Sequence, residues 1–205
     1  MESRREQAMK NFREGYNCTQ AVILAHSDML GVDTEQALKL CQSFGGGMGR
    51  LRQVCGTVSA MFFIAGALTG SADPKDPQGK KRNYDAVQRL AAAFEAKNGS
   101  IVCRELLGLD KKKSSVSEEY RTGSTPEPRT EEYYKKRPCL NLIGDACDVL
   151  AEIFPEPASP ASFSACPSLI YSSLIVISCI PCHLSTINSY LPEESDRYRI
   201  PHYFL

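Results

Sequence analysis

The chain has 205 residues, enough for one domain with a substantial core and some appended sequence. Basic and acidic residues number 24 each, so the formal net charge is zero. Such a chain offers no broad field for nucleic acid or an anionic membrane surface, and no nucleic-acid partner is expected. Nine cysteines are many for this length. The opening MESRREQAMK carries charges of both signs with no apolar run behind it and does not read as a signal peptide. A cytoplasmic setting is therefore expected. There, cysteines are usually buried, catalytic, redox-sensing or metal-binding rather than permanently paired.

Apolar residues recur at helical spacing through the first three quarters of the chain. A first helix is expected over 2–14, with Ala8, Met9 and Phe12 on its inner side and Gly15 ending it. Asn17 caps the second helix, with Gln20 three residues on completing a capping-box pattern, and Gly31 stops it after Leu30. Asp33 and Gln36 repeat that pattern before a third helix whose apolar stripe is Ala37, Leu38, Cys41 and Phe44. The glycine-rich FGGGMGR comes next. It lacks the Gly-Lys-Ser/Thr ending of a P-loop and follows a helix rather than a strand, so it reads as a tight interhelical turn. From about Gln53 to Leu68 the chain is apolar nearly all round, which marks a central helix. Gly56, Ala60 and Ala67 let its neighbours approach, and the segment is too short to predict a membrane span.

SADPKDPQG reads as a loop, followed by a helix over 80–97 with Tyr84, Val87, Ala91 and Phe94 on one face. Ser100 is expected to cap a short helix, IVCRELL, closed by Gly108. Residues 110–130 are polar and contain two prolines, the composition of a flexible insertion, with Lys111–Lys113 a solvated run. The last convincing helix starts at Pro138 and carries Leu142, Ile143, Ala146, Val149, Leu150 and Ile153. Residues 155–205 change character, from proline and serine to an apolar, β-prone run. The expected fold class is therefore all-α: an antiparallel bundle of about five to seven helices over 1–154, with an irregular, atypical tail over 155–205.

Four cysteines share one placement. Cys18 follows the cap Asn17, Cys55 opens the helix after the glycine-rich turn, Cys103 follows Ser100, and Cys139 follows Pro138. A helix start carries unpaired N–H groups and the positive end of the macrodipole. A cysteine there can have its pKa lowered from ~8.5 to about 3.5–7.5, and the thiolate is both nucleophile and metal ligand. Arg50, Arg52, Arg104, Lys135, Lys136 and Arg137 are close in sequence and favour the same form. Cys41 and Cys147 differ, since each sits inside a helix on its apolar stripe and reads as core. His26 reads as a surface or core histidine rather than a ligand.

The segments FREGYNCTQAVILA, LCQSFGGGMGRLRQVCGTVSAMFFIAGALTG and NGSIVCRELLG, with the late Cys139, resemble the redox-active family known by the pattern C-GCAxxG-C-C. The likeness covers roughly residues 10–155. It implies that the family's four characteristic cysteines are Cys18, Cys55, Cys103 and Cys139. The CGAxxG motif reads CGTVSA here, with Thr57 for Ala and Ala60 for the second Gly. The resemblance implies redox or metal chemistry without naming a reaction.

Two chemistries fit the four cysteines. In one, pairs cycle between dithiol and disulfide with an unknown redox partner, and Cys55 is the expected attacking residue. In the other, all four are metal ligands, for an iron–sulfur cluster or for zinc. A non-catalytic helical interaction module, with the cysteines merely buried, is a third reading. Cys179 to His183 match the haem-attachment pattern C-x-x-C-H. The split-Soret cytochromes, which carry haem, are similar to this family. Such attachment normally occurs outside the cytoplasm, so haem is not expected. A homodimer through an apolar face of the central helix is compatible with the pattern.

Overall fold

The computed structural model describes residues 2–109 and 123–155. They form eight α-helices: α1 (Arg4–Arg13), α2 (Cys18–Ala25), α3 (Thr34–Cys41), α4 (Gly56–Thr69), α5 (Pro77–Asn98), α6 (Cys103–Leu106), α7 (Glu131–Lys136) and α8 (Cys139–Ile153). Short 3-10 turns over Ser27–Met29 and Gln42–Phe44 follow α2 and α3. Among the described residues there is no strand ladder, only one isolated antiparallel bridge between Val54 and Val102. The fold is all-α, as expected. A compact unit runs from Met1 to Pro155. The CIPCH motif and the rest of the tail lie outside the described residues, as does most of the expected insertion.

Local chemistry sets the helix ends. Ser3 caps α1 in a reciprocal box with Glu6, a signal the sequence carries ahead of the apolar pattern that begins at Ala8. The Asn17–Gln20 box forms at α2 as expected, but at α3 only half of the expected box is made: Asp33 accepts from the Gln36 N–H. α5 starts earlier than periodicity suggests, because Asp76 caps it ahead of Pro77. α2 ends sooner than expected, at Ala25. His26 closes it as a buried residue whose Nδ1 lies 2.9 Å from the Val22 carbonyl oxygen.

α4 is the central helix. It packs against α2, α5 and α8, while α1 packs on α2 and α8 and α5 on α8. Phe12, Ile23, Met61, Ile64, Leu90, Phe94 and Ile143 are fully buried in the shared core. Side chains of this size contribute roughly 1.5–3 kcal/mol each when taken out of water. Cys41 and Cys147 belong to this core, at 0 % and 3 % exposure. Burial pushes their thiols up to about 11 and about 12. At the outer edge, Arg5 of α1 pairs with Asp145 and Asp148 of α8.

Candidate functional site

Cys18, Cys103 and Cys139 are the first residues of α2, α6 and α8, and Cys55 is the residue that caps α4. All four line a single cavity of about 440 Å³. Each is a free thiol. Cys55 and Cys103 are nearly closed off, at 5 % and 6 % exposure, whereas Cys18 and Cys139 are half-buried.

Cys18 is fixed by its cap. Asn17 Oδ1 accepts from the N–H groups of Thr19 and Gln20, both at 3.0 Å, and Asn17 Nδ2 donates to the Gln42 carbonyl at 3.0 Å. Gln20 Nε2 donates to the Leu38 carbonyl at 3.0 Å. The start of α2 is thus tied to the end of α3.

Cys55 and Cys103 are placed by the bridge rather than by helix propensity. The Cys55 N–H donates to the Ile101 carbonyl at 2.8 Å and the Cys103 N–H donates to the Gln53 carbonyl at 2.6 Å, one on each side of the Val54–Val102 pair. Residues one beyond the paired position on each strand share a face, so both cysteines fall on the same side. Cys103 therefore does not follow a Ser100 cap, as expected from sequence. Ser100 Oγ instead accepts from the Val102 N–H and donates to Glu105, which shapes the approach to α6.

The glycine-rich turn is a left-handed coil. Gly46, Gly47, Met48, Gly49 and Arg50 have φ of 66°, 74°, 60°, 58° and 69°, and Arg52 follows at 61°. Left-handed backbone costs a non-glycine residue about 1–2 kcal/mol, so Met48, Arg50 and Arg52 carry local strain. Gly47 has a second constraint, since a Cβ there would stand 2.6 Å from Cys103 Cβ. The coil brings Arg50 and Arg52 into the cavity lining.

Arg129 and Arg137 complete the basic wall, from the segment before α7 and the link to α8. Among the described residues Glu127 is the one carboxylate in the lining. It is 2.5 Å from Arg137, 3.5 Å from Arg50 and 3.9 Å from Arg52. The Arg129 guanidinium lies over the Phe12 ring at 4.2 Å and over Tyr133 at 4.9 Å.

The expected lowering of the thiol pKa values does not occur at three of the four sites. Burial pushes Cys55 and Cys103 up, and pushes Cys139 up to about 12. In each case the negative charge of Cys18 is the next cause. Arg52 acts the other way on Cys103, and Arg137 and Arg129 on Cys139. Removing a thiolate from water outweighs a helix start, above all where α6 has only four residues to supply a dipole. Tyr133 is likewise pushed up to about 12, first by burial and then by the charge of Cys139.

Residues 123–130 were expected within a flexible insertion. They supply Ser124, Pro126, Glu127 and Arg129 to the cavity. Helix α7 was not foreseen. Its signals were a Thr130 cap, Glu131 and Glu132 in the first turn, and Lys135 and Lys136 four residues on.

These features define a helical protein that gathers four thiols at one arginine-lined cavity. The chain belongs to the family described as "Putative redox-active protein (C_GCAxxG_C_C)", which matches residues 16–153. No curated protein and no solved structure matches the chain. Among the described residues no helix is long and apolar enough to cross a membrane.

Proposed function

We propose that this protein exchanges electrons through dithiol–disulfide chemistry at the four-cysteine cavity. The observation that carries the reading is the convergence of four free thiols on one opening next to fixed positive charge. Of the two half-buried members, Cys139 is held protonated by burial, which leaves Cys18 as the attacking residue rather than Cys55. Cys55 is the resolving residue. It adjoins Gly56, whose α-carbon lies against the Cys18 sulfur. A closed, raised thiol suits a group that ionises only when a mixed disulfide forms beside it. The arginine wall stabilises thiolates as they appear and leave.

The second reading keeps the same residues as ligands. Among the described residues no group of three His, Cys, Asp or Glu side chains stands ready to hold a metal ion, so a zinc ion or a cluster would require the four thiols to draw together. An iron–sulfur cluster spreads its four cysteines around several irons, and Cys18, Cys55, Cys103 and Cys139 would hold it. The positive wall would offset its charge, and the cluster would supply one-electron transfer.

Anaerobic purification separates the two. The chain to use has Cys166, Cys179 and Cys182 replaced by serine, so that tail thiols do not count. Dithiol chemistry gives a colourless protein that loses two or four thiols on mild oxidation and regains them with a dithiol reductant. Stoichiometric iron with visible absorption, abolished by Cys55→Ser or Cys103→Ser, would replace that reading with the cluster.

A further inference from the structure

We propose that Arg52 and Arg129 form an anion-recognition site that selects small, carboxylate-bearing disulfides as substrates of the cavity. This inference rests on the dithiol–disulfide reading and names the substrate class for it.

The Arg52 side chain is 6 % exposed, and its guanidinium bonds the Cys103 sulfur, yet among the described residues its Nε and Nη2 have no hydrogen-bond partner. The Nη1 of Arg129 is also buried and unpartnered. A buried guanidinium with unused N–H groups is costly unless something anionic meets it. Glu127 meets Arg52 only at ion-pair range, 3.9 Å from Nη2, and shares its single charge with Arg50 at 3.5 Å and Arg137 at 2.5 Å. Among the described residues the lining holds four arginines and one carboxylate, a positive balance before any thiol ionises.

The geometry favours a planar acidic group. A guanidinium meets a carboxylate through paired N–H donors, and Arg129 is held in place by its stacking on Phe12. A cavity of about 440 Å³ suits a small molecule. It is lined by the same thiols, so an acid anchored on Arg52 brings a nearby sulfur within their reach.

The chemistry then balances. The Cys18 thiolate attacks one sulfur of the substrate, the S–S bond breaks, and the first substrate thiolate leaves and takes up a proton. The Cys55 thiol gives up its proton and attacks the Cys18 sulfur, expelling the second substrate thiolate. Two electrons pass from the two cysteines to the substrate, which leaves as two thiols. The resulting Cys18–Cys55 disulfide is reduced again by a separate dithiol reductant.

The test compares two reagents on the full chain lacking the tail cysteines. 5,5′-Dithiobis(2-nitrobenzoate) carries carboxylates, and 4,4′-dithiodipyridine is neutral. The parent chain is expected to favour the acidic reagent relative to a model thiol. Arg52→Gln and Arg129→Gln are expected to cut that preference by roughly 10- to 100-fold, the loss expected for one charge-assisted hydrogen bond. Two variants at separate sites guard against misfolding of one. No preference in the parent, or a preference unchanged in both variants, overturns the inference. Calorimetry with S-methylglutathione, an unreactive carboxylate, separates the two readings. Binding that Arg52→Gln weakens, in a protein whose thiols react with neither reagent, supports the anion site and defeats only the exchange reading. Absence of binding overturns the site.

Discussion

The sulfur of Cys18 rests on the bare α-carbon of Gly56: a Cβ at Gly56 would stand 2.6 Å from Cys18 Sγ. The same Cβ would meet Thr19 Oγ1 at 2.5 Å and the Phe44 carbonyl oxygen at 2.9 Å. Two helix starts, α2 and α4, thus share a point of contact that only glycine allows. Gly56→Ala is expected to cost about 1–3 kcal/mol by overpacking. Thermal unfolding followed by circular dichroism checks this. An unchanged melting temperature would mean that the two helix starts are not fixed against each other.

Asn17 holds Cys18 from the other side. Its side chain satisfies two N–H groups of α2 and reaches the Gln42 carbonyl. Asn17→Ala is expected to destabilise the fold by about 1–2 kcal/mol. It should also alter the alkylation rate of Cys18 while leaving Cys41 and Cys147 slow. Peptide-resolved labelling reads both. Labelling unchanged at Cys18 would show that the cap does not position it.

Much of the site was legible in the sequence. The Asn17–Gln20 box announces the α2 start, and an apolar run with few charges announces a central helix at 56–69. The place of the four cysteines at helix starts was legible too, whereas their meeting at one cavity comes from the tertiary fold. The pKa values were not legible, because proximity to helix ends and arginines is visible in sequence whereas burial is not. The Val54–Val102 bridge was hidden for a similar reason: one pair of residues far apart in the chain leaves no periodic signal. Arg129 and Glu127 were missed because a polar, proline-containing stretch reads alike whether it drifts in water or packs on a cavity.

The buried core thiols predict a stability profile. Cys41 and Cys147 are raised to about 11 and about 12, against about 8.5 in an unfolded chain. Below that unfolded value both states keep their protons and the stabilisation is complete. As pH rises towards 11, the unfolded chain sheds protons that the folded chain retains. Stability then falls by about 1.4 kcal/mol per pH unit for each such thiol. Denaturant titrations from pH 8 to pH 11 should show this, with a shallower slope in Cys147→Ala. An identical slope would contradict the assigned protonation.

Exposure orders the thiols, and burial holds the enclosed ones protonated. At pH 7.5, iodoacetamide is expected to label Cys18 before Cys55 and Cys103, and Cys41 and Cys147 last. Mass spectrometry of timed samples gives the order. Early labelling of Cys55 would return the attacking role to that residue.

The most direct measurement is differential alkylation of anaerobically purified protein, before and after one equivalent of a small disulfide, with peptide mapping by mass spectrometry. One new protein disulfide is expected, between Cys18 and Cys55, reversed by a dithiol reductant and absent in Cys18→Ser. Finding Cys18, Cys55, Cys103 and Cys139 all still reduced would contradict it.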